Sequence, residues 1–198
     1  MTEAAAPAEK RTFDRNFWTL CSVEMWERLA CFGVRSLVAI FIMQADDVGG
    51  LHLTAAHKGS IYAWWFIVQS VLPMFTGGYA DRFGYKKTMA FAVSMNMLGY
   101  VLMAFNRSYE GFFFAVMVLA FGTAFFKPSI QGALAQNLTK ETASLGWGIF
   151  YWVVNIGGAA APFIASWIVG DHSQEDWRNL SLASAGFTVG NTCFSWRI

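Results

Sequence analysis

Glu24, Glu27, Arg28 and Arg35 lie inside one apolar stretch, residues 17–43, long enough to cross a bilayer. A charged side chain in the hydrocarbon costs several kcal/mol, so such residues face a protein interior or a watery cavity. Four of them in one segment predict a polar interior, lined by this helix and kept from lipid, in which something charged is bound or passed. At about 100° per residue, with Glu24 as zero, Arg35 falls at about +20°, Arg28 at about +40° and Glu27 at about −60°. One side of the helix thus holds all four charges and Cys31. Ser22, Trp26, Leu29, Gly33, Leu37 and Ile40 fall on the other. Glu24 is four residues from Arg28 and three from Glu27, which makes them surface neighbours. Two carboxylates sharing one guanidinium make a proton switch: protonating one frees Arg28 to pair with the other or with a group across the cavity. The alternative is a static ion-pair network that only orients the helix. The functional reading is preferred because intramembrane ionisable groups are functional by default.

Lys127, in GTAFFKPSIQGALAQ, is a further buried charge. If its helix ends near Gln136, it lies about 13 Å inside that end at about 1.5 Å per residue. That is deep for a snorkelling lysine, and a cation facing the same cavity is expected. Pro128 beside it disturbs the helix and frees a carbonyl. A third pattern is GGYADRFGYKK at 77–87. Gly77 and Gly78 allow close helix approach, Asp81 and Arg82 stand where the second span meets the cytosol, Gly84 turns the chain, and Lys86 and Lys87 anchor the loop. A basic hairpin accounts for the lysines but not for the Gly pair and the Asp-Arg pair.

These groups need long apolar elements to position them. Of 198 residues, 56% are hydrophobic and only 14% charged, against about 25% charged in soluble domains. The abundant Trp, Phe and Gly suit a polytopic membrane protein, with aromatics at interfaces and Gly at helix contacts. A net charge of +1 carries no nucleic-acid footprint. The ruler of about 20 apolar residues per span predicts an all-α bundle. A cytoplasmic tail over residues 1–16 precedes a transmembrane bundle over 17–198. Its helices are expected at 17–43, 59–80, 87–105, 111–135, 144–169 and 179–196, the last interrupted by Asn179, Asn191 and Ser195.

Lys10, Arg11 and Arg15 in the tail, and Arg82, Lys86 and Lys87 after the second span, mark the cytoplasmic side by the positive-inside rule. The first loop, with Asp46, Asp47 and Lys58, and the fifth, with Asp171, Glu175 and Asp176, fall on the other side. The expected location is the plasma or inner membrane, multi-pass, with a cytoplasmic N-terminus and no cleavable leader. Cys21, Cys31 and Cys193 show no metal or redox spacing, and His52, His57 and His172 no ligand spacing, so no metal is expected. Trp64, Trp65, Trp147 and Trp152 read as packing or interface residues. Asn106-Arg107-Ser108 fits a glycosylation triplet by chance in a very short loop.

Gly77, Asp81, Arg82, Gly84, Tyr85 and Lys86 resemble the loop between helices two and three of the major facilitator superfamily, which helps latch its two six-helix halves on the cytoplasmic side. Glu24-x-x-Glu27-Arg28 resembles the first-helix signature of the proton-dependent oligopeptide transporters within it. Arg35 matches that family's substrate-facing arginine, Lys127 its fourth-helix lysine before Pro, and FYWVVNIGGAAAP at 150–162 its fifth-helix motif. The resemblance runs from about Asn16 to Trp177. It implies proton-coupled symport of di- and tripeptides, driven by the proton gradient without a cofactor. Glu24, Glu27 and Arg28 would couple protons, Arg35 and Lys127 would face a peptide carboxylate, and Asn155 would contact the peptide backbone.

The sequence also departs from that family. Leu29, Ala30, Cys31, Phe32 and Gly33 stand where the family usually has Phe and then a tyrosine pair before Gly. Ser70 replaces a tyrosine three residues before Pro73, and the loop after Asp81-Arg82 is one residue shorter. Lost tyrosine hydroxyls are lost partners for a peptide, so the coupling groups look better preserved than the solute pocket. The alternatives are a diverged facilitator for another organic anion or amino acid, and a non-transporting half-size membrane subunit. No nucleophile–base or metal-ligand set suggests an enzyme. The superfamily binds solute between two six-helix halves, and this chain is expected to be the N-terminal half. Its partners would then be a solute, protons, the lipid bilayer, and a missing C-terminal half or a second half-transporter. A truncated or frame-shifted product is the favoured origin.

Overall fold

Backbone in hydrocarbon must satisfy its own N–H and C=O groups, which favours helices. The computed structural model describes residues 13–45, 49–170 and 173–195, except for the side chains of 192–195. Helix α1 (Arg15–Met43) lies over the first expected span. Over the second expected span lie α2 (Ala55–Val71) and α3 (Pro73–Phe83), with Leu72 between them in the helical region of backbone space. They are followed by α4 (Tyr85–Phe105), α5 (Tyr109–Gln136), α6 (Ala143–Val169) and α7 (Gln174–Ser195). Lys10 and Arg11 of the expected tail, Asp46 and Asp47, Asp171 and His172, residues 196–198 and the Cys193 side chain lie outside the described residues.

Pro73 has no N–H to donate, so one helical hydrogen bond is missing where α2 passes into α3, while Leu72 stays helical, its N–H donating to the Val68 carbonyl and its carbonyl accepting from the Thr76 N–H. Pro128 and Pro162 instead sit inside α5 and α6, which run through them. Pro128 deprives the Ala124 carbonyl of its helical donor. The buried Thr76 hydroxyl of α3 donates to that carbonyl at 2.8 Å.

The loops are tied down locally. Thr54 caps α2 by accepting from the His57 N–H at 3.3 Å, and Ser108 caps α5 by accepting from the Gly111 N–H at 3.2 Å. Asn106 Nδ2 donates back to the Leu102 carbonyl, closing α4. Arg107 between them donates to the carbonyls of Gly49 and Gly50, at 3.0 and 2.7 Å, with its guanidinium over the Phe41 ring. The Asn106-Arg107-Ser108 triplet is therefore a helix stop, a latch and a helix start.

Helix α1 packs chiefly against α6 and α7. The face opposite its charges is packed rather than bare: Trp26 stacks on Phe187 of α7, and Gly33 lies against α6, where a Cβ would be in ordinary van der Waals contact with Ala165 Cβ at 3.4 Å. Helices α4 and α5 pack more closely still, because a Cβ at Gly99 would lie 2.8 Å from the Leu119 backbone. On α7 the buried hydroxyls of Ser184 and Thr188 return to the carbonyls of Leu180 and Ser184, whereas the fully buried Asn191 amide has no hydrogen-bond partner among the described residues. Helices α4, α5 and α6 are each long and apolar enough to cross a membrane. Phe163 and Trp167 remain 79% and 85% exposed, as a lipid-facing surface allows and an aqueous one penalises.

Candidate functional site

Two stations of charge stand along α1. At the first, Glu24, Glu27 and Arg28 are all buried, at 5%, 0% and 7% exposure. Arg28 Nε pairs with Glu24 Oε1 at 2.8 Å. Glu27 Oε1 accepts from Asn96 Nδ2 of α4 at 3.0 Å. Glu24 Oε2, Glu27 Oε2 and Arg28 Nη2 have no hydrogen-bond partner among the described residues. Unsatisfied charged atoms in a buried site are costly, and each calls for a functional or structural explanation. Helix α6 closes over this station because Gly157 has no side chain: a Cβ there would lie 3.0 Å from the Met25 carbonyl oxygen and 3.3 Å from Arg28 Cβ.

Arg35, about two turns further along α1, forms the second station. Its Nη1 donates to Gln69 Oε1 of α2 at 3.3 Å, and its guanidinium lies over the rings of Trp65 and Phe66, at 5.5 and 5.7 Å. The Tyr62 hydroxyl donates to the Arg35 carbonyl at 2.9 Å. An amide and two aromatic faces hold the cation without neutralising it. Lys127 is half-buried on α5, in the electrostatic field of Arg28, Cys31, Glu24 and Arg35. Among the described residues no carboxylate forms an ion pair with Arg35 or Lys127. Two partly buried cations that no carboxylate pairs with among the described residues suit an anion, while the incompletely satisfied carboxylates suit proton exchange.

Other expected residues are distributed differently. Asn155 is exposed on α6, on the same face as Trp152 and Ile156, and is not joined to the α1 cluster by any hydrogen bond among the described residues. Gly77 sits where α3 meets the α5 proline, its notional Cβ 3.8 Å from Pro128 Cβ, whereas Gly78 faces open space. Gly84 has φ +91°, in the region that favours glycine, and makes the α3–α4 turn. Asp81 does not pair with Arg82: its carboxylate accepts from the Tyr85 hydroxyl, while the Arg82 guanidinium lies over Phe83. Lys86 and Lys87 are exposed and line a cleft of about 550 Å³ with Asn16, Gln136 and Asn137.

Gln69, Asn96 and Thr123 carry no signature in the sequence motifs. The available signal was an amide inside a span free of charges, because Gln69 and Asn96 have no local reason to be there. Trp65, expected to pack or sit at an interface, is buried and also carries the Arg35 guanidinium.

Residues 29–197 match the family model described as Major Facilitator Superfamily. The uncharacterized transporter YclF of Bacillus subtilis (strain 168) is 31% identical over 76% of this chain and 31% of its own length. A di-/tripeptide transporter of Lactococcus lactis subsp. cremoris is 26% identical over the same shares. A solved POT family transporter, in complex with a thioalcohol-conjugated peptide, superposes with a TM-score of 0.85 at 20% identity, over 93% of this chain and 38% of the other. The chain thus spans about a third of the length of these proteins.

Proposed function

The chain belongs to the Major Facilitator Superfamily, and from that premise we propose that it forms the N-terminal, proton-coupling wall of a symporter for di- and tripeptides. One observation carries this reading. A buried Glu24–Arg28 pair and Glu27 stand beside two cations, Arg35 and Lys127, that no carboxylate neutralises among the described residues. In the proposed cycle the solute carboxylate is held by Arg35 and Lys127. Protonation at the glutamates loosens Arg28 and lets the bundle change its packing against the opposite half. Asn155, exposed on α6, is assigned a contact to the peptide backbone from that side. The glycines and charged groups at 77–86 are assigned to the cytoplasmic latch, with the N-terminus cytoplasmic and the protein in the plasma or inner membrane. The proton gradient drives transport and no cofactor takes part. The likeness to peptide transporters supports the solute class.

The test is uptake of labelled dialanine into proteoliposomes containing the full-length protein, under an inward proton gradient. Accumulation is expected, and Glu24→Gln and Glu27→Gln are expected to abolish it. Accumulation unaffected by both substitutions refutes the coupling assignment. A second reading, transport of a different organic anion or an amino acid, is favoured by Phe32 and Ser70, which stand where a peptide site would have tyrosine hydroxyls. Proton-driven uptake of such a solute with no uptake of any dipeptide selects it.

A further inference from the structure

Glu27 is gripped by groups from two other helices. Asn96 of α4 is fully buried and donates from Nδ2 to Glu27 Oε1 at 3.0 Å. A carboxamide can be turned either way, and only one orientation offers a donor to a carboxylate. Thr123 of α5, also fully buried, stands beside that amide: its single hydroxyl proton is shared between Asn96 Oδ1 at 3.4 Å and the Leu119 carbonyl oxygen at 3.0 Å. Gly122 leaves room for the arrangement, because a Cβ there would sit 2.3 Å from Asn96 Oδ1. One turn along α4, Tyr100 is fully buried, interacts electrostatically with Glu27, and has no hydrogen-bond partner for its hydroxyl among the described residues. Glu27 Oε2 is likewise unpartnered. The ionisable groups that act on Glu27 are Glu24, Arg28 and Cys31 of α1, Tyr100 of α4 and Lys127 of α5; none from α2, α6 or α7 does so among the described residues.

We propose that Asn96 and Thr123 are positioning residues for the proton step, clamping Glu27 through Oε1 so that Oε2 is the atom that takes and releases the proton. A helix packed only for stability has no need to orient a buried carboxylate from two neighbours in series. The chain of contacts runs from the Thr123 hydroxyl to the Asn96 amide to one carboxylate oxygen, and stops at the oxygen that is free. The inference rests on the reading of Glu27 as a proton carrier, and its test is independent of the solute.

The full-length protein in lipid is titrated by infrared difference spectroscopy, with the parent and Glu27→Gln, Asn96→Leu, Thr123→Val and Thr123→Ser compared. The parent is expected to show a protonated-carboxyl band that Glu27→Gln deletes. In Asn96→Leu and Thr123→Val the pH midpoint of that band is expected to move by about one unit, a tenfold change in proton affinity. Thr123→Ser, which keeps the hydroxyl, is expected to restore the parent midpoint. Should Asn96→Leu fail to fold, the near-isosteric Thr123→Val with its serine rescue decides alone. A Glu27 band that titrates identically in parent and variants overturns the positioning role and leaves the coupling assignment standing. Absence of a Glu27 band in the parent overturns both.

Discussion

Replacing Thr76 by valine keeps the shape of the side chain and removes one hydroxyl. That hydroxyl is 2.8 Å from the Ala124 carbonyl, the acceptor whose helical donor is missing because residue 128 is proline. Thr76 is 3% exposed, so water does not readily take over the bond. Leaving a buried acceptor unsatisfied costs roughly 1–3 kcal/mol. Hydrogen bonds between helices in membranes average about 0.6 and reach about 1.7 kcal/mol. Thr76→Val is therefore expected to cost about 1–2 kcal/mol, a factor of roughly 5–30 in the folded-to-unfolded ratio. The cost originates in the proline, and a double-mutant cycle tests that origin. In a Pro128→Ala background the residue at 128 regains an N–H, the Ala124 carbonyl regains its donor, and Thr76→Val is expected to cost close to nothing. The assay is reversible unfolding of the full-length protein in mixed micelles, with all four proteins measured together. Equal costs of Thr76→Val in the two backgrounds would refute the reasoning, since the hydroxyl would then be acting independently of the proline.

Three further expectations concern packing and loop contacts. Gly99→Ala drives a methyl to 2.8 Å from the Leu119 backbone and should destabilise the α4–α5 pair by roughly 1–3 kcal/mol in the same unfolding assay. Gly78→Ala, on the helix face open to space, should be neutral or stabilising by up to about 1 kcal/mol, so that any loss of transport it causes reports on the latch rather than on folding. Arg107→Ala releases the carbonyls of Gly49 and Gly50 and should raise hydrogen exchange and protease cleavage around 49–53, an effect absent if those bonds do not hold the loop.

The charged face of α1 was legible because a helix repeats every 3.6 residues, so the spacing of Glu24, Glu27, Arg28 and Arg35 fixes their common side without reference to any neighbour. Apolar run length marks candidate spans for a similar reason, since the thickness of the hydrocarbon is a property of the solvent and not of the fold, and α4, α5 and α6 are long and apolar enough to cross it. The α2–α3 junction was less legible although Pro73 was in plain view, because run length registers hydrophobicity and Pro73 is surrounded by it.

The sequence by itself determined local and periodic properties: six apolar segments, one helix with charges along one side, a lysine deep in the fourth span, and a glycine-made turn at Gly84. Tertiary structure decided the partners. Glu27 meets Asn96 sixty-nine residues away, Arg35 meets Gln69 thirty-four away, and Thr76 meets the Ala124 carbonyl forty-eight away. It also gave Asp81 to Tyr85 rather than to Arg82 and left Asn155 on the exposed face of α6. The physical reason is that hydropathy and periodicity are properties of each segment taken alone. A hydrogen bond between helices depends on rotation, rise and approach of two segments at once, and those are set by packing contacts such as Gly33 on Ala165 and Gly99 on Leu119.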